Sequence, residues 1–177
     1  MAKIKTYIIT VCLVLLSVSA GISGSLTRNC VHEQFTQYVG IREATGRNDG
    51  TMVEYFQHMA GVRKGDAWCA AFVYTCIKQC DSSFVLKAPA WSSSWFTTNV
   101  IWKQGRGQTP QTADVFGIYF LSKKRIAHVG FIESWPDGKY TFTVEGNTNE
   151  AGSREGDGVY RKRRLKAQIY TVSKFTK

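Results

Sequence analysis

Apolar positions along the first half of the chain recur at helical spacing. Val31, Phe35, Tyr38 and Val39 share one face of a predicted helix over residues 31–40. After a turn at Gly46-Arg47-Asn48-Asp49-Gly50, Val53, Phe56 and Met59 repeat the spacing up to Gly61, with Thr51 as the expected cap and Glu54 completing a capping box. The polar turn Arg63-Lys64-Gly65-Asp66 then delivers the chain to Cys69, where Ala70, Ala71, Phe72 and Val73 open a buried helix predicted to reach about Gln79. Over residues 81–111 periodicity fails, and Trp91, Trp95 and Trp102 stand among Ser, Thr and Asn in what reads as irregular structure or a short helix. Beyond that point the period changes to two. Short β-branched and aromatic runs at 114–120, 127–134, 140–144, 159–163 and 169–172, separated by turn signals such as Pro136-Asp137-Gly138, predict an antiparallel meander. Helices followed by strands give an α+β class, with the helices packed on one face of the sheet.

The N-terminus departs from this pattern. Lys3 and Lys5 precede an apolar run from Tyr7 to Leu16, and Val18-Ser19-Ala20 offers small residues for a signal peptidase. Residues 1–20 therefore read as a secretory signal, cut after Ala20 with Gly24 as the second choice, and the protein is expected to be exported to a periplasmic or extracellular space. An uncleaved anchor is the competing reading, but the run is short for a bilayer span. Residues 21–34 then form an N-terminal lead and 35–177 a single domain, as suits a chain of 177 residues.

The formal charge of +10 falls to +8 once Lys3 and Lys5 are removed. A protein this basic attracts polyanions, and for an exported one anionic wall polymers are more plausible partners than nucleic acid, which we do not expect it to bind. The run Arg161-Lys162-Arg163-Arg164 reads either as a grip for such polymers or as a solvated face beside an edge strand.

Candidate chemistry centres on Cys69. A thiol at the start of a helix ionises more easily, because unpaired backbone N–H groups and the helix dipole favour the thiolate. His128 lies between Ala127 and Val129 in a strand and needs a polar partner if it points inward. Glu145 and Asn147 follow the next strand-like run, although Glu145-Gly146-Asn147-Thr148-Asn149 alone would pass as a polar turn. Nucleophile, base and orienting group on three successive elements form a recipe for covalent catalysis. Trp68, Trp91 and Trp95 are candidate substrate-binding residues along a groove, against a reading in which the tryptophans of the irregular stretch anchor a loop to the core. With the expected signal and its Cys12 removed, Cys30, Cys76 and Cys80 accompany Cys69, and a bridge from Cys30 to either Cys76 or Cys80 leaves two free thiols. A zinc site of Cys69, Cys76, Cys80 and His128 is the chemical rival, with spacings unlike the usual hairpin pairs.

Three stretches in this order, Trp68-Cys69-Ala70-Ala71-Phe72-Val73, Ala127-His128-Val129-Gly130-Phe131-Ile132 and Val144-Glu145-Gly146-Asn147-Thr148, resemble the CHAP family of cysteine, histidine-dependent amidohydrolases and peptidases in the papain-like superfamily. The similarity runs from about Phe35 to Arg163. It implies a papain-like α+β fold with Cys69 as nucleophile, His128 as base, Glu145 accepting a hydrogen bond from the imidazole and Asn147 helping to hold the site together. It also implies cleavage of an amide bond in peptidoglycan, either between sugar and stem peptide or within the peptides. Of Glu145 and Asn147, the carboxylate is the expected partner of His128, since it stabilises imidazolium more strongly. Some CHAP domains bind calcium, but Asn48-Asp49-Gly50 is too sparse a loop for that ion. No metal and no cofactor are expected, and a monomer is. An inhibitor or immunity protein would accompany a toxin role, and a non-catalytic, basic wall-binding protein on the same fold is the alternative from another functional class.

Overall fold

The computed structural model describes residues 26–151 and 156–177. The expected secretory signal lies outside them. Helices α1 (Arg28–Gln37), α2 (Thr51–Met59) and α3 (Cys69–Cys80) come first, and strands β1 (Val100–Lys103), β2 (Arg106–Gly107), β3 (Val115–Phe120), β4 (Arg125–Ser134), β5 (Tyr140–Thr148), β6 (Gly158–Leu165) and β7 (Thr171–Ser173) follow. All pair antiparallel in one sheet of order β2-β1-β7-β3-β4-β5-β6. The class is α+β, consistent with a CHAP fold.

α3 is the axis of the core. Every residue from Cys69 to Ile77 is buried, so this stretch of helix must be enclosed on all sides. Phe72 packs edge-on against Phe56 of α2 and Phe131 of β4, and Phe131 stacks on Phe35 of α1 at 4.9 Å. Alternation along β4 divides the sheet's two faces. Val129 and Phe131 enter this main core, whereas Ile132 joins Phe116, Ile169 and Val172 in a smaller cluster.

The described part of the N-terminal lead belongs to this body. α1 begins at Arg28, capped by Thr27 Oγ1, which accepts from Cys30 N–H at 3.3 Å. The boundary expected at residue 35 therefore falls inside a helix. Arg28 Nη1 donates to Asp114 Oδ1 at 2.7 Å, and Cys30 is bonded to Cys80, which ties the start of α1 to the end of α3.

Two further expectations need correction. Thr51 is the first residue of α2 and does not cap it; Gly50 holds the cap position, and Glu54 Oε1 accepts from Gly50 N–H at 3.1 Å. The stretch at 81–111 contains a 3₁₀ turn (Ser92–Phe96) and the hairpin β1–β2, whose tight turn uses Gln104 and Gly105 at φ 48° and 84°. β1 is completed by β7, about seventy residues later, so its ladder owes little to local sequence.

Candidate active site

Cys69, His128, Glu145 and Asn147 come from α3, β4 and β5, and the fold brings all four to the start of α3. Phe72 N–H bonds to Trp68 O, closing the first turn, and the N–H groups ahead of it lie at the helix's positive end. The Cys69 sulfur is buried there, 3.6 Å from Ser92 Oγ.

His128 is fully buried on β4, and its Nε2 lies 2.8 Å from Glu145 Oε2. Nδ1 has no nitrogen or oxygen partner among the described residues and is the ring nitrogen left for the Cys69 sulfur, which is near enough for each group to shift the other's ionisation. Glu145 is itself enclosed by donors. Thr143 Oγ1 donates to Oε1 at 2.6 Å, and Arg164 on β6 binds both oxygens, Nε to Oε1 and Nη2 to Oε2, each at 2.5 Å. Gly130 makes room for this cluster: a Cβ there would stand 2.9 Å from Glu145 Cγ and 2.8 Å from Val144 O.

Burial opposes charge on Glu145, yet the bonds from Arg164 and His128 outweigh it and hold the carboxyl at about 2. Burial likewise opposes charge on His128, but hydrogen bonds and opposite charges from Cys69 and Glu145 raise the imidazole to about 9. Cys69 follows the same logic: burial pushes the thiol up, and the hydrogen bond and charge of His128, helped by Ser92, bring it below its ordinary value. Arg164, Glu145, His128 and Cys69 thus form a line of alternating charge in which each member favours the ionised form of the next.

Asn147 does not touch the imidazole in this arrangement. With φ at 54°, its side chain turns toward α3: Oδ1 accepts from Trp68 N–H at 3.1 Å, and Nδ2 donates to Asn48 Oδ1 at 2.9 Å and Gly156 O at 3.0 Å. It fastens Trp68, the residue before Cys69, to β5. The neighbouring Gly146 allows this contact, since a Cβ there would meet Trp68 Cζ3 at 2.8 Å and Phe72 Cβ at 2.9 Å. Glu43 and Gln57 reinforce the same joint. Glu43 Oε1 accepts from Trp68 Nε1 at 2.9 Å, while Gln57 Nε2 bridges Asn48 O at 3.0 Å and Asp66 O at 2.7 Å.

The tryptophans divide, and two expected positions need correction. Trp68 is fully buried, stacked on Phe56 at 5.8 Å, with its Nε1 bonded to Glu43. Trp95 is also fully buried, with Nε1 donating to Pro89 O at 3.0 Å, so it anchors the cleft wall from behind. Neither can touch substrate. Trp91 alone of the three is exposed, and with Ser92, Ala127 and Arg125 it lines a cleft of about 440 Å³ that opens on Cys69.

Arg164, Ser92, Glu43 and Gln57 were not singled out by sequence reasoning. Arg164 had a signal: it shares the inward face of β6, where its strand partner is Thr141, two residues from Thr143 and four from Glu145. The other cations of that run are engaged as well. Arg161 Nε donates to Glu133, Lys162 Nζ to Asn149 O at 2.5 Å, and Arg163 lies over the Tyr140 ring at 4.6 Å. The pairing left open for Cys30 resolves to Cys80, leaving Cys69 and Cys76 free. A thiolate zinc site including Cys80 is thereby ruled out, since that sulfur is bonded.

No curated protein matches the chain. The family model of the CHAP domain matches residues 61–147, a span that holds Cys69, His128, Glu145 and Asn147 and leaves Glu43 and Arg164 outside it. CHAP domains are typically hydrolases of the cysteine-peptidase type associated with peptidoglycan. A helix-borne thiol, a strand-borne imidazole and a carboxylate behind it are the parts such a hydrolase needs, and with the match across that span they show that this chain carries a CHAP domain.

Proposed function

We propose that the protein is an exported peptidoglycan hydrolase that cleaves a wall amide bond through a cysteinyl acyl-enzyme, as an N-acetylmuramoyl-L-alanine amidase or a peptide endopeptidase. The observation that carries this reading is the hydrogen-bonded line Arg164–Glu145–His128 ending at the Cys69 thiol.

Cys69 gives its proton to His128 Nδ1, and the thiolate attacks the amide carbonyl carbon. The carbonyl electrons move to oxygen, and the Cys69 backbone N–H at the helix start helps to stabilise the oxyanion. As the intermediate collapses, the C–N bond breaks and His128 returns the proton to the departing amine. A water, deprotonated by His128, then attacks the thioester, releasing the carboxylic acid and restoring the thiol. Glu145 keeps the imidazole oriented and favours imidazolium throughout, and Arg164 holds Glu145 in place. Trp91 supplies an exposed ring beside the nucleophile for substrate contact.

Anionic wall polymers are secondary partners in this reading, attracted by the net charge as a whole, since the 161–164 run is already engaged within the fold. An inhibitor or immunity protein would cover the Cys69 cleft. Purified peptidoglycan treated with wild-type protein and with Cys69→Ala tests the reading. The wild type should release fragments whose new termini, identified by mass spectrometry, are either an L-alanyl amine facing a free lactyl carboxylate or a new pair of peptide ends. Equal release by Cys69→Ala would overturn it.

A further inference from the structure

The cleft beside Cys69 is chemically lopsided. Its walls are mostly small and apolar, with Ala60, Gly61, Ala67, Ala90 and Ala127 among them, and its charged residues are Asp66 and Arg125. Asp66 has its carboxylate turned to its own loop, where Oδ2 accepts from Arg63 N–H at 2.9 Å. Arg125 is different. It is half-buried at the first position of β4, three residues before His128, and has no carboxylate partner among the described residues.

Its guanidinium is nevertheless held in place. The Trp91 ring lies beneath it at 4.0 Å, and Nη1 donates to Ile126 O at 3.1 Å. One such bond uses one of five N–H donors, so most of the planar fork remains for an incoming group. The Trp91 wall is itself fixed: Trp91 N–H donates to Ala88 O at 3.0 Å, Ala88 has the left-handed φ of 52°, and Trp95 binds Pro89 O from behind. A stacked, otherwise uncommitted guanidinium at the rim of a small-residue cleft is built to receive a planar anion.

We propose that Arg125 determines substrate specificity by binding a free carboxylate on the peptide portion of the substrate, while the alanine-rich walls admit only small side chains next to the scissile amide. The proposal rests on the peptidoglycan reading above and names which stem peptides the cleft prefers: those with free carboxylates over those in which they are amidated.

The test separates binding from turnover. Two stem peptides identical except for free or amidated carboxylates are titrated calorimetrically into Cys69→Ala protein, and the free acid should bind about tenfold or more tightly, the scale of a charge-assisted pair. Adding Arg125→Gln should abolish that preference while leaving the affinity for the amide almost unchanged. Trp91→Leu removes the ring beneath the guanidinium and should weaken both peptides, the free acid more than the amide. With active protein, Arg125→Gln should raise KM for the free acid at nearly constant kcat. Equal binding of the two peptides, or a preference that survives Arg125→Gln, overturns the proposal. Wild-type turnover of both peptides without preference would leave the hydrolase reading intact while sinking this one, whereas selective binding without any turnover would do the reverse.

Discussion

α3 carries two free cysteines, seven positions apart, that are equally hidden from solvent and electrically opposite. Cys69 sits at the helix start with His128 and Ser92 against its sulfur, and its thiol falls below the ordinary value despite burial. Cys76 sits two turns on in the same helix, with no cation among the described residues to offset its surroundings, and burial pushes its thiol well above the ordinary value. Burial alone silences a thiol; burial beside an imidazole that a carboxylate keeps charged activates one. The difference is made by strands β4, β5 and β6, which no inspection of the helix reveals.

The strongest way to break this contrast is to exchange the two sites. Cys69→Ala should remove essentially all turnover, a fall of about 10⁴-fold or more in kcat measured by release of soluble wall fragments, whereas Cys76→Ala should leave kcat unchanged. Removing the charge behind the imidazole comes next. Glu145→Gln should lower kcat by about 10²- to 10⁴-fold and destabilise the protein by about 3 kcal/mol in urea melts, because Arg164 and His128 lose their shared anion inside the sheet. Rescue of stability without activity by pairing Glu145→Gln with Arg164→Met would assign the two effects to separate causes.

The pH dependence sharpens the same contrast. Turnover should fall at the alkaline end as pH passes about 9, where His128 loses the proton it must give to the leaving amine. Stability should follow the same groups. His128 has a folded value above its unfolded 6.5, so its contribution is complete below pH 6.5 and is lost as pH rises through about 9. Glu145 has a folded value below its unfolded 4.5, so its contribution is complete above pH 4.5 and is lost as pH falls through about 2. Thermal melts across pH 2–10 should therefore form a plateau near pH 5–6.5, and Glu145→Gln should remove the acid shoulder. The smallest effects belong to Cys76. Iodoacetamide at pH 7 should label Cys69 alone until denaturant is added, and Cys76→Ala should cost about 1–2 kcal/mol of stability through a small cavity.

Much of the candidate site was legible in the sequence. The switch from helical to alternating periodicity gave the class, and the settings of Cys69, His128 and Glu145 marked a candidate nucleophile, base and orienting acid on successive elements, which the fold brings together. What escaped were the partners chosen by register and packing. Arg164 looked like one cation in a solvated run, because a strand's two faces become distinct only once its neighbours are known, and only then does Thr141 opposite place it beside Glu145. Trp68 and Trp95 looked like groove residues because an indole's chemistry is the same in a core and in a cleft. β1 was hidden because its ladder partner lies near the other end of the chain.

The bridge between Cys30 and Cys80 has a consequence for the reactive sulfur. It closes a separation of 50 residues, worth about 4 kcal/mol on chain-entropy grounds. It does so at the far end of α3, roughly 16 Å of helix from Cys69. A chain that must oxidise two thiols and spare the reactive one thus uses the length of one rigid rod as insulation: the pair that welds the scaffold is formed where the acidic sulfur cannot reach it.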